Sequence, residues 1–171
     1  MVRQGLCDVT VYNKTLMPLT WNTHTNLDEY WSLVNDCIIW DVSCQRQVEL
    51  VGADAARLAQ YISSRNLSKF KVGQAKYVIC TDLDGTVIND PLVLKVDEDR
   101  FWFSIADRDL ELWAKSFAAA KGWDVRVSEL AVPVLAVQGP KSTAMLSTVF
   151  GAEFMEDIKF FNFKEIMWHG V

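Results

Sequence analysis

Gln74-Ala-Lys-Tyr-Val-Ile-Cys-Thr-Asp-Leu-Asp-Gly-Thr-Val-Ile-Asn-Asp-Pro-Leu-Val93 reads as strand, turn, strand. Lys76 to Thr81 is rich in β-formers. Asp82-Leu83-Asp84-Gly85 is turn chemistry, because Gly85 takes a positive φ at little cost and Asp bonds its own backbone. Thr86 to Ile88 and Leu92 to Val96 resume strand character. Tyr77 and Asp90 stand on opposite arms of this hairpin. Two such arms can bring a phenol and a carboxylate to one pocket.

The same stretch supports a second chemistry. Tyr77-Val-Ile-Cys-Thr-Asp82-Leu-Asp84-Gly85-Thr86-Val87 resembles the opening motif of haloacid-dehalogenase-type phosphatases. There Asp82 would be the phosphoryl nucleophile and Asp84 a general acid–base. That motif needs a parallel strand, then helices, a Lys and further acids for Mg²⁺. Here a meander of β-type segments follows, which reads as antiparallel. The plain alternative is an acidic turn on a solvated edge.

Outward from the hairpin, composition sets limits. The chain has 171 residues, half of them hydrophobic, and a net charge of −5. That is enough for one domain with a sizeable core. No basic stripe stands out, which argues against nucleic acid as partner. No run of 18 apolar residues suits a membrane span. Met1-Val-Arg-Gln-Gly5 does not open a signal peptide, and a cytoplasmic setting with reduced thiols is expected. Cys7, Cys37, Cys44 and Cys80 form no C-x-x-C pair, and only His24 and His169 could join them. No metal is expected, and the cysteines read as small apolar residues.

Residues 1–26 read as irregular, with one short strand at Val9–Tyr12. Asn26–Asn35 reads as a helix capped by Asn26 or Thr25, with Leu27, Tyr30, Trp31 and Val34 on one face. Ile38–Val51 is a long β-type run, ended by Gly52. Ala53–Ser63 is a helix with Ala55, Leu58, Ala59 and Ile62 inward. Arg100–Ile105 is a strand paired with Leu92–Val96. A helix from Asp107 or Asp109 to Ala120 turns Leu110, Trp113, Ala114 and Phe117 to one side, with Gly122 past its end. Val125–Val127 and Val132–Gln138 are strands, Lys141–Phe150 a helix, and Phe160–Met167 a β-type aromatic run. The fold class is mixed α+β, with largely antiparallel sheets and flanking helices.

Five segments, in this order, carry a resemblance: Trp40-Asp-Val-Ser43, Val48-Glu-Leu-Val-Gly-Ala-Asp-Ala55, Lys71-Val-Gly-Gln-Ala-Lys-Tyr77, Asp84-Gly-Thr-Val-Ile-Asn-Asp90 and Leu135-Ala-Val-Gln-Gly-Pro140. Together they are similar to the glycine-cleavage T-protein (aminomethyltransferase) family. The resemblance runs from Val9 to Val171 and covers about the N-terminal half of that family's usual length. It implies a T-protein-like folate-binding fold, incomplete here, with residues 1–171 its N-terminal part. Val11-Tyr-Asn13, Trp40–Glu49, Asn89–Lys95 and Ser104–Lys115 resemble most the branch that demethylates dimethylsulfoniopropionate. A T-protein would carry His at Cys44, Asp at Asn89 and Asn at Ser104, so these three positions favour the demethylase branch.

The resemblance implies tetrahydrofolate as cofactor, with Asp90 beside its pterin and as the working carboxylate. Tyr77 and Ser104 line the same site. It implies a small sulfonium substrate, held by cation–π contact. Trp31, Trp40, Trp102 and Phe154 are the aromatic candidates, Phe154 preferred by position. Asp41 and Ser43 read as structural, and Lys141 as an exposed residue of a first helical turn. Apolar faces left for an absent half would favour self-association, a homodimer included. Aminomethyl transfer, folate binding without turnover, and the phosphatase are the alternatives.

Overall fold

The hairpin forms in two tiers, as a computed structural model describing residues 5–156 and 158–170 shows. Its outer tier pairs β5 (Ala75–Tyr77) with β8 (Leu92–Asp97), and its inner tier pairs β6 (Cys80–Thr81) with β7 (Val87–Asn89). Pro91 has no N–H for the ladder, so pairing lapses there. One bond spans the gap, from the Val78 amide to the Pro91 carbonyl at 3.1 Å. At the tip Gly85 takes φ +87°. Asp82 Oδ1 accepts from the amides of Asp84 (3.0 Å) and Thr86 (2.8 Å), so its side chain builds the turn.

The backbone groups into two compact units. One comprises Gln45–Val132 and Phe160–Lys164. It holds an antiparallel five-stranded sheet in the order β10 (Arg126–Leu130), β4 (Gln47–Val51), β9 (Arg100–Ser104), β8, β5. Alternation along the strands divides its faces. Val48, Leu50, Val93, Phe101 and Phe103 point to a core closed by Ala55, Leu58, Ala59 and Ile62 of α2 (Ala55–Ile62) and by Ala114 and Ala118 of α3 (Glu111–Lys121). The inward face expected for α2 is the one observed. Gly122 ends α3 in the left-handed conformation, φ +62°.

The opposite face of the sheet mixes polar side chains such as Gln47, Glu49 and Ser104 with apolar ones such as Leu92, Leu94 and Trp102. Glu49 is buried there, accepting from Arg100 Nε at 2.6 Å and from Trp102 Nε1 at 3.0 Å. Arg126 adds an ion pair at 3.8 Å. Burial alone would push the Glu49 carboxyl up. The bonds from Arg100 and Trp102 and the charges of Arg100 and Arg126 outweigh it, and the pKa falls below the ordinary value.

The other unit comprises Met1–Cys44, Pro133–Lys159 and Glu165–Val171. Its first element is a hairpin of β1 (Leu6–Tyr12) and β2 (Thr15–Trp21), where one short strand in an irregular stretch was expected. The turn residues are Asn13 and Lys14, both with positive φ, +49° and +61°. That suits a tight hairpin but lacks the Asn-Gly signature that would announce one. Helix α1 (Asn26–Asn35) starts on a capping box between Thr25 and Asp28. Its apolar face stays open: Leu27, Tyr30, Trp31 and Val34 are all exposed.

The β-type run from Ile38 does not continue to Val51 as expected. It breaks at Asp41, whose Oδ1 accepts from the Ser43 amide (3.1 Å) and hydroxyl (2.6 Å) and so forms a turn. The first piece, β3 (Ile38–Asp41), pairs with β11 (Leu135–Gln138). Gly139 follows with φ +125°, and a Cβ there would lie 2.5 Å from the Asp36 carbonyl. Helices α4 (Ser142–Phe150) and α5 (Ala152–Glu156) complete the unit. Lys141, just before α4, pairs with Asp36.

Phe160–Met167 was expected to be β, and no strand forms there. Its ladder is a single bridge, Asn162 to Gln74, flanked by two bonds. The Ala75 amide donates to the Phe161 carbonyl (2.8 Å), and the Phe163 amide to the Gly73 carbonyl (2.9 Å). Among the described residues, no helix is long and apolar enough to cross a membrane.

Candidate functional site

Tyr77 and Asp90 meet in one cleft of about 460 Å³, lined also by Ser64, Arg65, Val78 and Ile79. Each wall has a cause. The Ser64 amide donates to the Ile79 carbonyl at 2.9 Å, tying the loop after α2 to the hairpin. Arg65 Nη1 donates to the Tyr77 carbonyl at 3.1 Å and caps the end of β5. The Tyr77 ring stands edge-to-face on Phe161, 5.6 Å between centroids, and remains 60% exposed. Asp90 sits at the lapse in the ladder before Pro91, so its side chain reaches the cleft.

Asn89 fixes that arm. It is 2% exposed, its Nδ2 donates to the Arg108 carbonyl (2.8 Å), and its Oδ1 accepts from the Ala106 amide (3.0 Å). A carbonyl accepts and an amide donates, so the side chain has one orientation. An ionised Asp could not make the first bond.

Ser104 lies on the same sheet face as Tyr77. The register runs Tyr77 opposite Leu92, Leu92 opposite Ser104, and Ser104 opposite Gln47. Tyr77 and Ser104 are therefore two strands apart in one row, about 10 Å. Phe154 belongs to the other unit, on α5, with its ring 5.3 Å from Phe150. Of the other aromatic candidates, Trp102 is committed to Glu49 and stacked by Arg100 at 5.4 Å. Trp31 is exposed on α1. Trp40 lines a second cavity, about 410 Å³, with Trp21, Met17, His24, Glu29 and Asp41.

The cysteines divide. Cys80 is fully buried behind the hairpin, and burial pushes its thiol up to about 12. Cys44 is buried against the Met17 sulfur at 3.8 Å, while Cys7 is exposed. Among the described residues, no group of three or more His, Cys, Asp or Glu could hold a metal. The phosphatase reading lacks its strand. Asp82 is on an antiparallel hairpin, with its carboxylate bonded to turn amides.

Arg65, Ser64 and Gln47 were not singled out in the sequence. For Arg65 a signal existed: residues 55–81 contain Arg57, Arg65, Lys69, Lys71 and Lys76 and no acid. Gln47 carried none, since a Gln within a strand is read as solvated.

The family model described as the GCVT N-terminal domain matches residues 4–171. Dimethylsulfoniopropionate demethylase DmdA of Ruegeria pomeroyi is 38% identical over 98% of this chain and 45% of its own length. An aminomethyltransferase of Thermoanaerobacter sp. is 29% identical over 81% of this chain and 38% of its own. The crystal structure of glycine cleavage system aminomethyltransferase T from Bartonella henselae superposes with a TM-score of 0.80 at 20% identity. It covers 94% of this chain and 44% of that one, a likeness of fold. The chain spans less than half the length of each of these relatives.

Proposed function

Since this chain belongs to the glycine-cleavage T-protein family, through its GCVT N-terminal domain, we propose that it forms the N-terminal part of a tetrahydrofolate-dependent methyltransferase acting on dimethylsulfoniopropionate. The observation that carries this reading is the shared cleft of Tyr77 and Asp90. Its volume is in the range of small-molecule sites. Its lining suits a flat, hydrogen-bonding heterocycle, with a carboxylate acceptor and a phenol ring standing on edge against Phe161; the Ser104 hydroxyl lies outside that lining, two strands away in the same sheet row.

In this reading Asp90 accepts hydrogen bonds from the pterin N–H groups and takes up a proton. Tyr77 covers the ring and keeps water out, and Ser104 hydrogen-bonds its polar edge. Bound tetrahydrofolate supplies the nitrogen that receives the methyl group. A sulfonium leaves as a neutral thioether, so alignment and exclusion of water are the main demands on the protein. The 38% identity with the Ruegeria pomeroyi demethylase supports this donor. Asn89, whose two hydrogen bonds an ionised Asp could not both make, is consistent with the demethylase branch.

The test joins this chain to the C-terminal half of the Ruegeria pomeroyi demethylase and assays two donors, dimethylsulfoniopropionate and a glycine-loaded aminomethyl carrier. Methyl transfer to tetrahydrofolate with the first is expected. Asp90→Asn should slow it by about 10²-fold or more, the usual scale for a proton-handling group. Asp82→Asn should change the rate little. Turnover only with the glycine-derived donor would move the assignment to aminomethyl transfer, and phosphate release dependent on Asp82 would end the folate reading.

A further inference from the structure

We infer that Gln47 is a positioning residue that fixes Ser104 as a hydrogen-bond donor toward the ligand; this rests on the folate reading above. Gln47 is 4% exposed and lies directly opposite Ser104 across the β4–β9 ladder. Its Nε2 is 2.7 Å from the Gln45 carbonyl and 2.9 Å from Ser104 Oγ. A carbonyl oxygen only accepts, so the atom facing Gln45 is the amide NH2 and not the amide oxygen. The same nitrogen therefore donates its second hydrogen to Ser104. Ser104 Oγ is an acceptor in that bond and cannot point its own hydrogen at Gln47.

Among the described residues, Ser104 Oγ has no other hydrogen-bond partner. Its single hydrogen is left for the half-buried side of the row, where Leu92 and then Tyr77 follow. A ligand reaching Ser104 from the Tyr77 cleft thus meets a donor. The chemistry it selects is an acceptor on the ligand, a carbonyl oxygen or an unprotonated ring nitrogen. A ligand without that acceptor would leave the Ser104 hydrogen unpaired, and the site would discriminate against it.

The experiment is tetrahydrofolate binding to the full chain, read by intrinsic fluorescence, with folding checked by circular dichroism. Ser104→Ala should weaken binding about tenfold, the scale of one lost hydrogen bond. Gln47→Met should weaken it by a similar factor. In the Ser104→Ala background, Gln47→Met should have no further effect. Additive losses, or a Gln47→Met protein that binds like the parent, would overturn the inference.

A second pair leaves Gln47 in place, should its replacement unfold the chain. Ser104→Asn accepts from Gln47 and still donates with its own NH2, so binding should persist. Ser104→Asp accepts from Gln47 but presents only an acceptor, so binding should be lost. Equal binding by the two would refute the donor assignment. If neither the parent chain nor its fusion to the C-terminal half of the Ruegeria pomeroyi demethylase binds tetrahydrofolate, the folate reading falls and the inference falls with it, an outcome seen before any variant is made.

Discussion

Cys80 shows how one side chain's chemistry follows from its place. It is fully buried behind the hairpin, and desolvation raises its pKa to about 12. At pH 7 its thiolate fraction is on the order of 10⁻⁵, and the thiolate is the reactive form. Exposed Cys7 should therefore take up iodoacetamide in the native chain while Cys80 stays unlabelled until denaturant is added, as peptide mass spectrometry would show. Rapid native labelling of Cys80 would mean that the hairpin opens. At this scale the sequence was partly legible. Tyr77 and Asp90 could be paired because a hairpin with an Asp-Gly turn returns its arms to each other. Gln47, Asn89 and Arg65 could not be assigned, because their partners are the Ser104 hydroxyl and carbonyls far along the chain. Periodicity identifies which face a residue takes, not which carbonyl it meets.

The elements read well where burial is one-sided. Helix α2 was legible residue by residue because its Ala, Leu and Ile spacing answers directly to the core. The Ile38–Val51 run was misread because Asp41 and Ser43 bond each other locally, a choice that β propensity does not register. The five-stranded sheet carries a pH prediction through Glu49. Its folded pKa lies below the ordinary 4.5. The unfolded chain thus binds more protons in that window, and stability rises with pH. The contribution of Glu49 is complete above about pH 4.5 and is lost as pH falls through its folded value. Its side chain is only 4% exposed, so Glu49→Gln should cost about 2–3 kcal/mol at pH 7. Urea unfolding at pH 7 and pH 3.5 should show that deficit shrinking in acid. A deficit constant across pH would mean packing, not charge, holds this position.

For the whole molecule, the antiparallel α+β class was legible because turn signals and short strands recur throughout the chain. The division into two units was not, since each is assembled from separated segments. The open face of α1 has a consequence for handling. Leu27, Tyr30, Trp31 and Val34 are each 47–63% exposed on one helix. Such a patch promotes association. Sedimentation velocity at micromolar concentration should show self-association that Leu27→Ser with Trp31→Ser reduces; a monodisperse parent would refute this. The return of residues 160–164 to the outer edge of β5 bears on kinetics. Contacts this distant in sequence close late and reopen early, since loop closure must precede them. Two backbone bonds and one bridge hold that edge, so it should unzip while the rest of the sheet stays shut. In D2O the Ala75 and Phe163 amides should exchange by this sub-global opening, faster than the amides of β4 and β9, whose exchange must await unfolding of the whole sheet.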